Sequence, residues 1–240
     1  GQAPPLQYKE KDFMAEENVI FSLENGVGTI VLNRPEKRNS ITPEMLFLLV
    51  KALDELEKKD VRCVILTGQG DEAFCGGFDV RSIPAGGQIE TKPGNNPQDP
   101  LSSLSPFLDR LRNYPSPVIA MINGLCRGLG LDLAVACDLR IASDRATLGI
   151  PAVKLGLLYN YIGLKRFIDL IGPSNTRELF FVGNPIDAKR AKEIGLVNYV
   201  VPHNELSDFV KKFSAEIVGN APLAVQGTKR TLNLLTEIEK

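Results

Sequence analysis

The stretch that most restricts this chain is Asn123–Asp138, NGLCRGLGLDLAVACD. It follows a short apolar run, Pro117 to Ile122, that reads as a buried strand bounded by a proline and a glycine. Gly124, Gly128 and Gly130 fall within seven residues, and the run after them is apolar except for Asp132. A glycine-rich turn from a buried strand into a buried helix lets a ligand approach the backbone closely. It also leaves unpaired helix N-terminal N–H groups facing that ligand. Alternatively, the same pattern serves only close packing of helix on strand.

A second unit of the same kind, AFCGGFDV (Ala73–Val80), follows the β-branched run Val61–Thr67 and Gly68, and leads toward a short helix. Two strands that each end in a glycine-rich turn can set two backbone N–H groups side by side. Such a pair stabilises negative charge developing on a carbonyl oxygen, each donor being worth about 10²–10³ in rate.

The rest of the chain supplies a frame for these units. Residues 1–17 read as a charged tail. Asn18–Leu23 and Thr29–Asn33 read as strands joined at Glu24-Asn25-Gly26, a hairpin signal. The loop Arg34–Ile41 carries three basic groups in five residues. A helix then starts at Thr42 and Pro43, with Met45, Leu49, Ala52, Leu53 and Leu56 as its apolar stripe. Pro84–Pro100 reads as a surface loop or lid, and Leu101–Tyr114 as a helix stopped by Pro115 and Pro117. Leu139–Ala142 reads as a strand and Leu148–Gly163 as largely irregular. From Ile162 onward the pattern is helical, interrupted by one strand at Leu196–Val201.

Composition narrows the chemistry. At 240 residues, 43% hydrophobic, 24% charged and a formal charge of −1, the chain reads as globular, with no reason to expect nucleic acid as a partner. No apolar run approaches the roughly 18 residues a membrane helix needs. Cys63, Cys75, Cys126 and Cys137 form no CxxC pair, which suits packed thiols in a reducing, cytoplasm-like compartment. The single histidine, His203, lies in a Pro-His-Asn turn and reads as a surface residue. Histidine-based triads and zinc sites are therefore poorly supplied, and no GK dipeptide or GxGxxG is present. Backbone donors, carboxylates, tyrosines and lysines are left to carry any chemistry.

AFCGGFDV, NGLCRGLGLDLAVACD and GNPIDAKRAKEIGLVNYVV (Gly183–Val201) resemble the enoyl-CoA hydratase/isomerase, or crotonase, superfamily, over about Asn18 to Leu235. The resemblance implies an α/β fold, a crotonase-like spiral of ββα turns with a helical C-terminal region. Residues 1–17 then form a tail, 18–200 the core, and 201–240 a helical trimerisation region. Such chains usually run about twenty residues past the equivalent of Lys240, so this one looks truncated. It further implies a lyase acting on acyl-CoA thioesters without another cofactor or metal, and homotrimers that often pair into hexamers. By that resemblance the N–H groups of Phe78 and Leu129 form an oxyanion hole, shaped by Gly76, Gly77, Gly128 and Gly130. The Arg34–Ile41 loop falls where the family wraps coenzyme A, so Lys37 or Arg38 either meets a phosphate or belongs to a solvated basic loop.

Departures from the family pattern carry the finer reading. The first of the hydratases' two glutamates falls at Asp132, and the second at Ala152, which handles no proton. An isomerase aspartate falls at Asn160. IPAGG (Ile83–Gly87), DPL (Asp99–Leu101) and LGLLYNYIG (Leu155–Gly163) resemble the methylmalonyl-CoA decarboxylase branch, where Tyr159 matches an active-site tyrosine. Decarboxylation needs no base at the α-carbon, because the carboxylate leaves as CO₂. Ile150, Ala152 and Leu158 are expected as an apolar wall beside it. Asp132 is either a helix-dipole-stabilised structural carboxylate or an acid/base group, and Asp138 is read as structural. The expected function is decarboxylation of a malonyl-CoA derivative such as methylmalonyl-CoA. The alternatives are an enoyl-CoA hydratase or isomerase using Asp132, and a non-catalytic acyl-CoA-binding subunit.

Overall fold

The computed structural model describes residues 12–16, 18–79, 81, 104–159 and 161–238. The lid segment Pro84–Pro100, the IPAGG and DPL matches, the short helix expected after Ala73–Val80, and Asn160 all lie outside these residues. β1 (Asp12–Glu16) pairs antiparallel with β2 (Val19–Glu24), and β2 with β3 (Val27–Leu32). Asn25 and Gly26, between β2 and β3, have φ of 50° and 79°. Positive φ at both central residues is the hairpin geometry whose twist matches that of the strands. The supposed tail is thus partly sheet. Backbone pairing to β2 decides this, and charge composition does not register it.

From β3 onward the large sheet is parallel, running β3, β4 (Cys63–Gly68), β6 (Val118–Ile122), β8 (Leu139–Ser143) and β11 (Tyr199–Val201). A small sheet holds β5 (Ala73–Cys75), β7 (Leu125–Arg127) and β9 (Thr147–Gly149) in parallel, with β10 (Ile186–Asp187) antiparallel at its edge. β4, β6 and β8 are each followed by one strand of the small sheet, which produces the expected spiral. The order is large-sheet strand, small-sheet strand, then helix or turn. Strand β7 intervenes before the helix of the Asn123–Asp138 stretch, and β10 is a second strand after Ile162. Both are too short for periodicity to betray them.

Both faces of the large sheet are covered, which is why β4 is buried throughout. Val64, Leu66, Val118 and Ala120 pack with α1 (Pro43–Glu57), α2 (Leu104–Arg112) and α3 (Leu129–Ala136). The alternate residues Cys63, Ile65, Ile119 and Ile141 pack with Leu206 and Val210 of α6 (Leu206–Gly219). α6 thus closes one face of the sheet. In α1, Thr42 Oγ1 accepts the Met45 N–H at 3.3 Å, and the predicted stripe from Met45 to Leu56 is buried. α4 (Tyr161–Val182) is broken at Gly172, where φ is 73°, and restarts at Pro173. α5 (Ala188–Glu193) follows β10, and α7 (Pro222–Ile238) ends the described chain. The buried Lys229 of α7 donates to Asp138 Oδ2 at 2.7 Å and the Ser116 carbonyl at 3.1 Å. Asp138 also accepts the Val118 N–H at 2.7 Å, the structural role expected of it. No described helix is long and apolar enough to cross a membrane.

Candidate active site

Both glycine turns end in a free N–H for a definable reason. Ile41 donates its N–H to the Gly77 carbonyl at 2.8 Å and accepts the Asp79 N–H at 2.8 Å. A trans peptide sets C=O and N–H on opposite sides. The Phe78 N–H, sharing its peptide with the Gly77 carbonyl, therefore points away from the Arg34–Ile41 loop. In the other turn Gly128 adopts φ 49° and ψ −122°, a conformation in which an L-residue is strained. Its carbonyl turns into α3, accepting the N–H groups of Leu131 at 2.8 Å and Asp132 at 3.1 Å. The Leu129 N–H is thereby directed out of the helix N-terminus. Neither the Phe78 nor the Leu129 N–H finds an acceptor among the described residues.

The two turns touch. A Cβ on Gly77 would stand 3.1 Å from the Arg127 carbonyl and 3.9 Å from the Leu129 nitrogen. One on Gly130 would meet the Cys75 carbonyl at 2.5 Å, and one on Gly76 would meet Ser40 Oγ at 2.8 Å. Gly76 and Gly77 thus wedge the first turn between the basic loop and the second turn, and Gly130 seats α3 on β5.

Three residues after Leu129, Asp132 is 7% exposed and accepts a hydrogen bond from the Tyr159 hydroxyl. The Tyr159 ring stands edge-on to Phe180, centroids 4.9 Å apart, and Phe180 in turn to Phe167 at 5.0 Å. Burial pushes the Asp132 carboxyl up to about 7, against the opposing pull of the Tyr159 hydrogen bond and of Arg166. Burial and the Asp132 charge together hold the Tyr159 hydroxyl well above its ordinary value. The phenol stays protonated beside the raised carboxyl.

Ile150 and Ala152 are buried, and the Gly128 N–H donates to the Gly149 carbonyl at 2.9 Å, so this wall abuts the second turn. Leu158 does not belong to it. It is 76% exposed, because in the non-helical chain from Leu157 to Tyr159 neighbouring side chains face opposite ways, and Tyr159 takes the inward position.

Lys37 and Arg38 line a cleft of about 640 Å³ together with Gly76, Glu36 and three cations that sequence reasoning missed: Arg81, Arg127 and Lys154. Arg127 sits between two of the motif glycines, which was the one available signal for it. Two residues brace this cleft without lining it. Arg34 bonds Asp79 at 3.2 Å and the Ser40 carbonyl at 2.7 Å. The fully buried Asn39 donates to the Gln69 and Ala73 carbonyls at 3.0 and 2.8 Å.

His203 is not simply on the surface. Its side chain is 15% exposed, with Nδ1 3.0 Å from Ser143 Oγ and Nε2 3.6 Å from Asp71. These residue types match a catalytic triad, but Ser143 is fully buried and its Oγ accepts the Arg145 N–H at 3.1 Å. The cluster fixes the turn after β8. All four cysteines are free and buried, and burial pushes Cys63, Cys75 and Cys137 up to about 12. No group of three or more His, Cys, Asp or Glu among the described residues is placed to hold a metal ion.

Residues 22–240 match the enoyl-CoA hydratase/isomerase family. The short-chain-enoyl-CoA hydratase of Clostridium acetobutylicum is 35% identical over 225 residues, covering 92% of this chain and 82% of that one. The methylmalonyl-CoA decarboxylase of Escherichia coli is 32% identical over 217 residues, covering 89% and 79%. A crystal structure of methylmalonyl-CoA decarboxylase complexed with 2S-carboxypropyl-CoA superposes with a TM-score of 0.84 at 31% identity, covering 93% of this chain and 84% of that chain. The spiral of two sheets, the paired glycine turns and these similarities agree: the chain belongs to the enoyl-CoA hydratase/isomerase family, the crotonase superfamily of acyl-CoA-processing enzymes.

Proposed function

We propose that this protein is an acyl-CoA lyase that decarboxylates a malonyl-CoA derivative such as methylmalonyl-CoA. One observation carries the proposal: the buried, hydrogen-bonded pair of Asp132 and Tyr159 stands one helical turn from a free backbone donor, while by the family resemblance Ala152 falls where hydration needs a second carboxylate. In this reading the thioester carbonyl oxygen accepts hydrogen bonds from Phe78 and Leu129. The bond between the α-carbon and the carboxylate breaks, its electron pair flows into the thioester as an enolate, and CO₂ departs. The enolate then takes a proton at the α-carbon that the protonated Asp132 carboxyl passes on through the Tyr159 hydroxyl, and solvent reprotonates Asp132 before the next turnover. The two N–H groups stabilise the charge where it develops, and the buried wall at Ile150 and Ala152 keeps water from the leaving carboxylate. Lys37, Arg38, Arg81, Arg127 and Lys154, which line the cleft, hold the phosphates of coenzyme A. The steps are heterolytic cleavage of one C–C bond, stabilisation of the charge it releases and a proton transfer, none of which needs an oxidant or reductant, so the reaction calls for no group beyond the thioester itself. By the family resemblance the working form is a homotrimer or a pair of trimers.

Release of CO₂ from malonyl-, methylmalonyl- and ethylmalonyl-CoA is the direct assay, and absence of release from all three overturns the proposal. A second reading, enoyl-CoA hydration or isomerisation through Asp132, draws support from a carboxyl that titrates near neutrality and from the hydratase relative. Turnover of crotonyl-CoA that Asp132→Asn abolishes favours it over decarboxylation. Tight binding of CoA esters without turnover of either kind points to a binding subunit instead.

A further inference from the structure

The basic loop Arg34–Ile41 and the first glycine turn are stitched together along their length. Gly76 donates its N–H to the Arg38 carbonyl at 2.7 Å, Ile41 to the Gly77 carbonyl at 2.8 Å, and Asp79 to the Ile41 carbonyl at 2.8 Å. The last two bonds grip the peptide units on either side of Phe78, both through the fully buried Ile41. Because a planar peptide turns as a unit, they set the direction of the free Phe78 N–H. Side chains repeat the link. Arg34 Nη2 bonds Asp79 Oδ2 at 3.2 Å while Nη1 bonds the Ser40 carbonyl at 2.7 Å. The two side chains are only 14% and 9% exposed, so water screens this pair little.

The loop does not owe this shape to local preference. Arg38 and Asn39 have φ of 52° and 54°, a left-handed pair without glycine, which persists only where the surroundings impose it. Asn39 supplies part of that restraint, accepting the Arg34 N–H at 3.0 Å and donating to the Gln69 and Ala73 carbonyls. The outer side of the same loop faces the cleft through Lys37 and Arg38. Arg81, another cleft residue and 72% exposed, brings its backbone N–H and its Nε to Asp79 Oδ1 at 3.3 Å each. Asp79 therefore stands between a buried arginine that holds the loop and an exposed one that faces the cleft.

We propose that Asp79 is a positioning residue for the Phe78 N–H, and that its ion pair with Arg34 couples the cleft to the oxyanion hole: coenzyme A phosphates held by Lys37, Arg38 and Arg81 fix the loop, and the loop fixes the donor. Asp79 does not line the cleft and acts through the backbone around Phe78. The coupling rests on the reading of the cleft as a phosphate site and of Phe78 as a thioester donor, and it serves decarboxylation and hydration alike. Binding energy from the remote end of the substrate is then spent at the reacting carbonyl, where it raises kcat instead of only lowering KM.

The thioester carbonyl reports the donor without turnover, because hydrogen bonds to it lower its stretching frequency. Isotope-edited infrared difference spectra follow acetyl-CoA and S-acetylpantetheine, each labelled with ¹³C at the carbonyl and saturating, on full-length protein. Acetylpantetheine carries no phosphate. In wild type the acetyl-CoA band is expected to fall furthest, and the acetylpantetheine band about half as far, one of two donors being misaimed. Adenosine 3′,5′-bisphosphate, a fragment of coenzyme A, recovers the difference. In Asp79→Asn and Arg34→Gln the acetyl-CoA band rises to the acetylpantetheine position, and the bisphosphate no longer moves either. Turnover of the active thioester follows, kcat falling about tenfold in Asp79→Asn with KM changed by less than about twofold. Equal bands for the two thioesters in wild type overturn the proposal, as does a wild-type acetyl-CoA band in Asp79→Asn. A pair that merely stabilises the fold gives that second result, with an earlier melt. If neither variant folds, the wild-type contrast and its recovery by the bisphosphate carry the test alone, and failure of either overturns it. A wild-type acetyl-CoA band no lower than in water overturns the reading of Phe78 and Leu129 as an oxyanion hole, and the coupling with it. Bands as expected without CO₂ release overturn decarboxylation alone and support the coupling.

Discussion

Replacing Asp132 by asparagine trades activity for stability in a pH-dependent way. The folded-state carboxyl titrates at about 7 against an ordinary value of 3.8. Below about pH 4 both folded and unfolded chains hold the proton. Between about 4 and 7 only the unfolded chain has released it, so the folded state loses stability with each unit of pH, and above 7 the penalty is constant. Three pH units at 1.36 kcal/mol each set a ceiling of about 4 kcal/mol on that penalty. Asparagine has nearly the same shape, keeps an oxygen for the Tyr159 hydroxyl and carries no charge to desolvate. Urea unfolding of wild type and Asp132→Asn at pH 5 and pH 8 measures the difference. We expect the variant's stability relative to wild type to rise by about 2–3 kcal/mol from pH 5 to pH 8, with an unchanged urea slope. Turnover falls at the same time. Equal differences at the two pH values, or a variant less stable than wild type at pH 8, refute the burial argument.

Gly128→Ala places a Cβ with no atom within 4 Å, so its cost is backbone strain alone, about 1–3 kcal/mol in a thermal or urea melt. Because the Leu129 N–H is re-aimed, turnover drops about 10²-fold; full activity contradicts a role for that donor. Gly130→Ala drives a Cβ to 2.5 Å from a backbone carbonyl, and we expect it to lose about 3 kcal/mol or more, or to fail to fold; a melt like wild type shows that α3 is not seated on β5 as described. Arg127→Ala and Lys154→Ala each raise KM for a CoA thioester about tenfold with little change in kcat. The effect shrinks as salt is added, and salt-independent KM values rule out a phosphate role for the cleft.

The elements legible in the sequence are those coded by local chemistry. Asn25-Gly26 specified its hairpin because few other residue pairs take positive φ twice in succession. Thr42-Pro43 specified the start of α1, and the paired glycine runs located both turns. Illegible features depend on distance along the chain or on parity. Strands of two or three residues such as β7, β9 and β10 are too short to show a period, and only neighbours in the small sheet make them strands. Asp132 and Tyr159 each stand out in the sequence, but their bond spans 27 residues and its effect on the carboxyl depends on burial. The Arg34–Asp79 pair spans 45 residues and left no trace. The inward and outward assignments of Tyr159 and Leu158 hung on one residue of parity in an irregular segment, where no pattern fixes phase.

In the large sheet the strands lie side by side in the order in which they occur in the chain, and in the small sheet β5, β7, β9 and β10 do the same. Among the described residues no strand is inserted between two earlier ones. A nascent polypeptide can therefore lengthen both sheets from one edge only, each emerging unit docking on a template already completed upstream. The β2–β3 hairpin supplies the first template, and nothing laid down early has to be reopened later. Parallel sheets ordinarily fold slowly because distant segments must meet before any contact rewards them. Here each closure joins consecutive units, so assembly during synthesis can proceed as a growing end rather than a search, with β11 and α6 as the last pieces to seal the core.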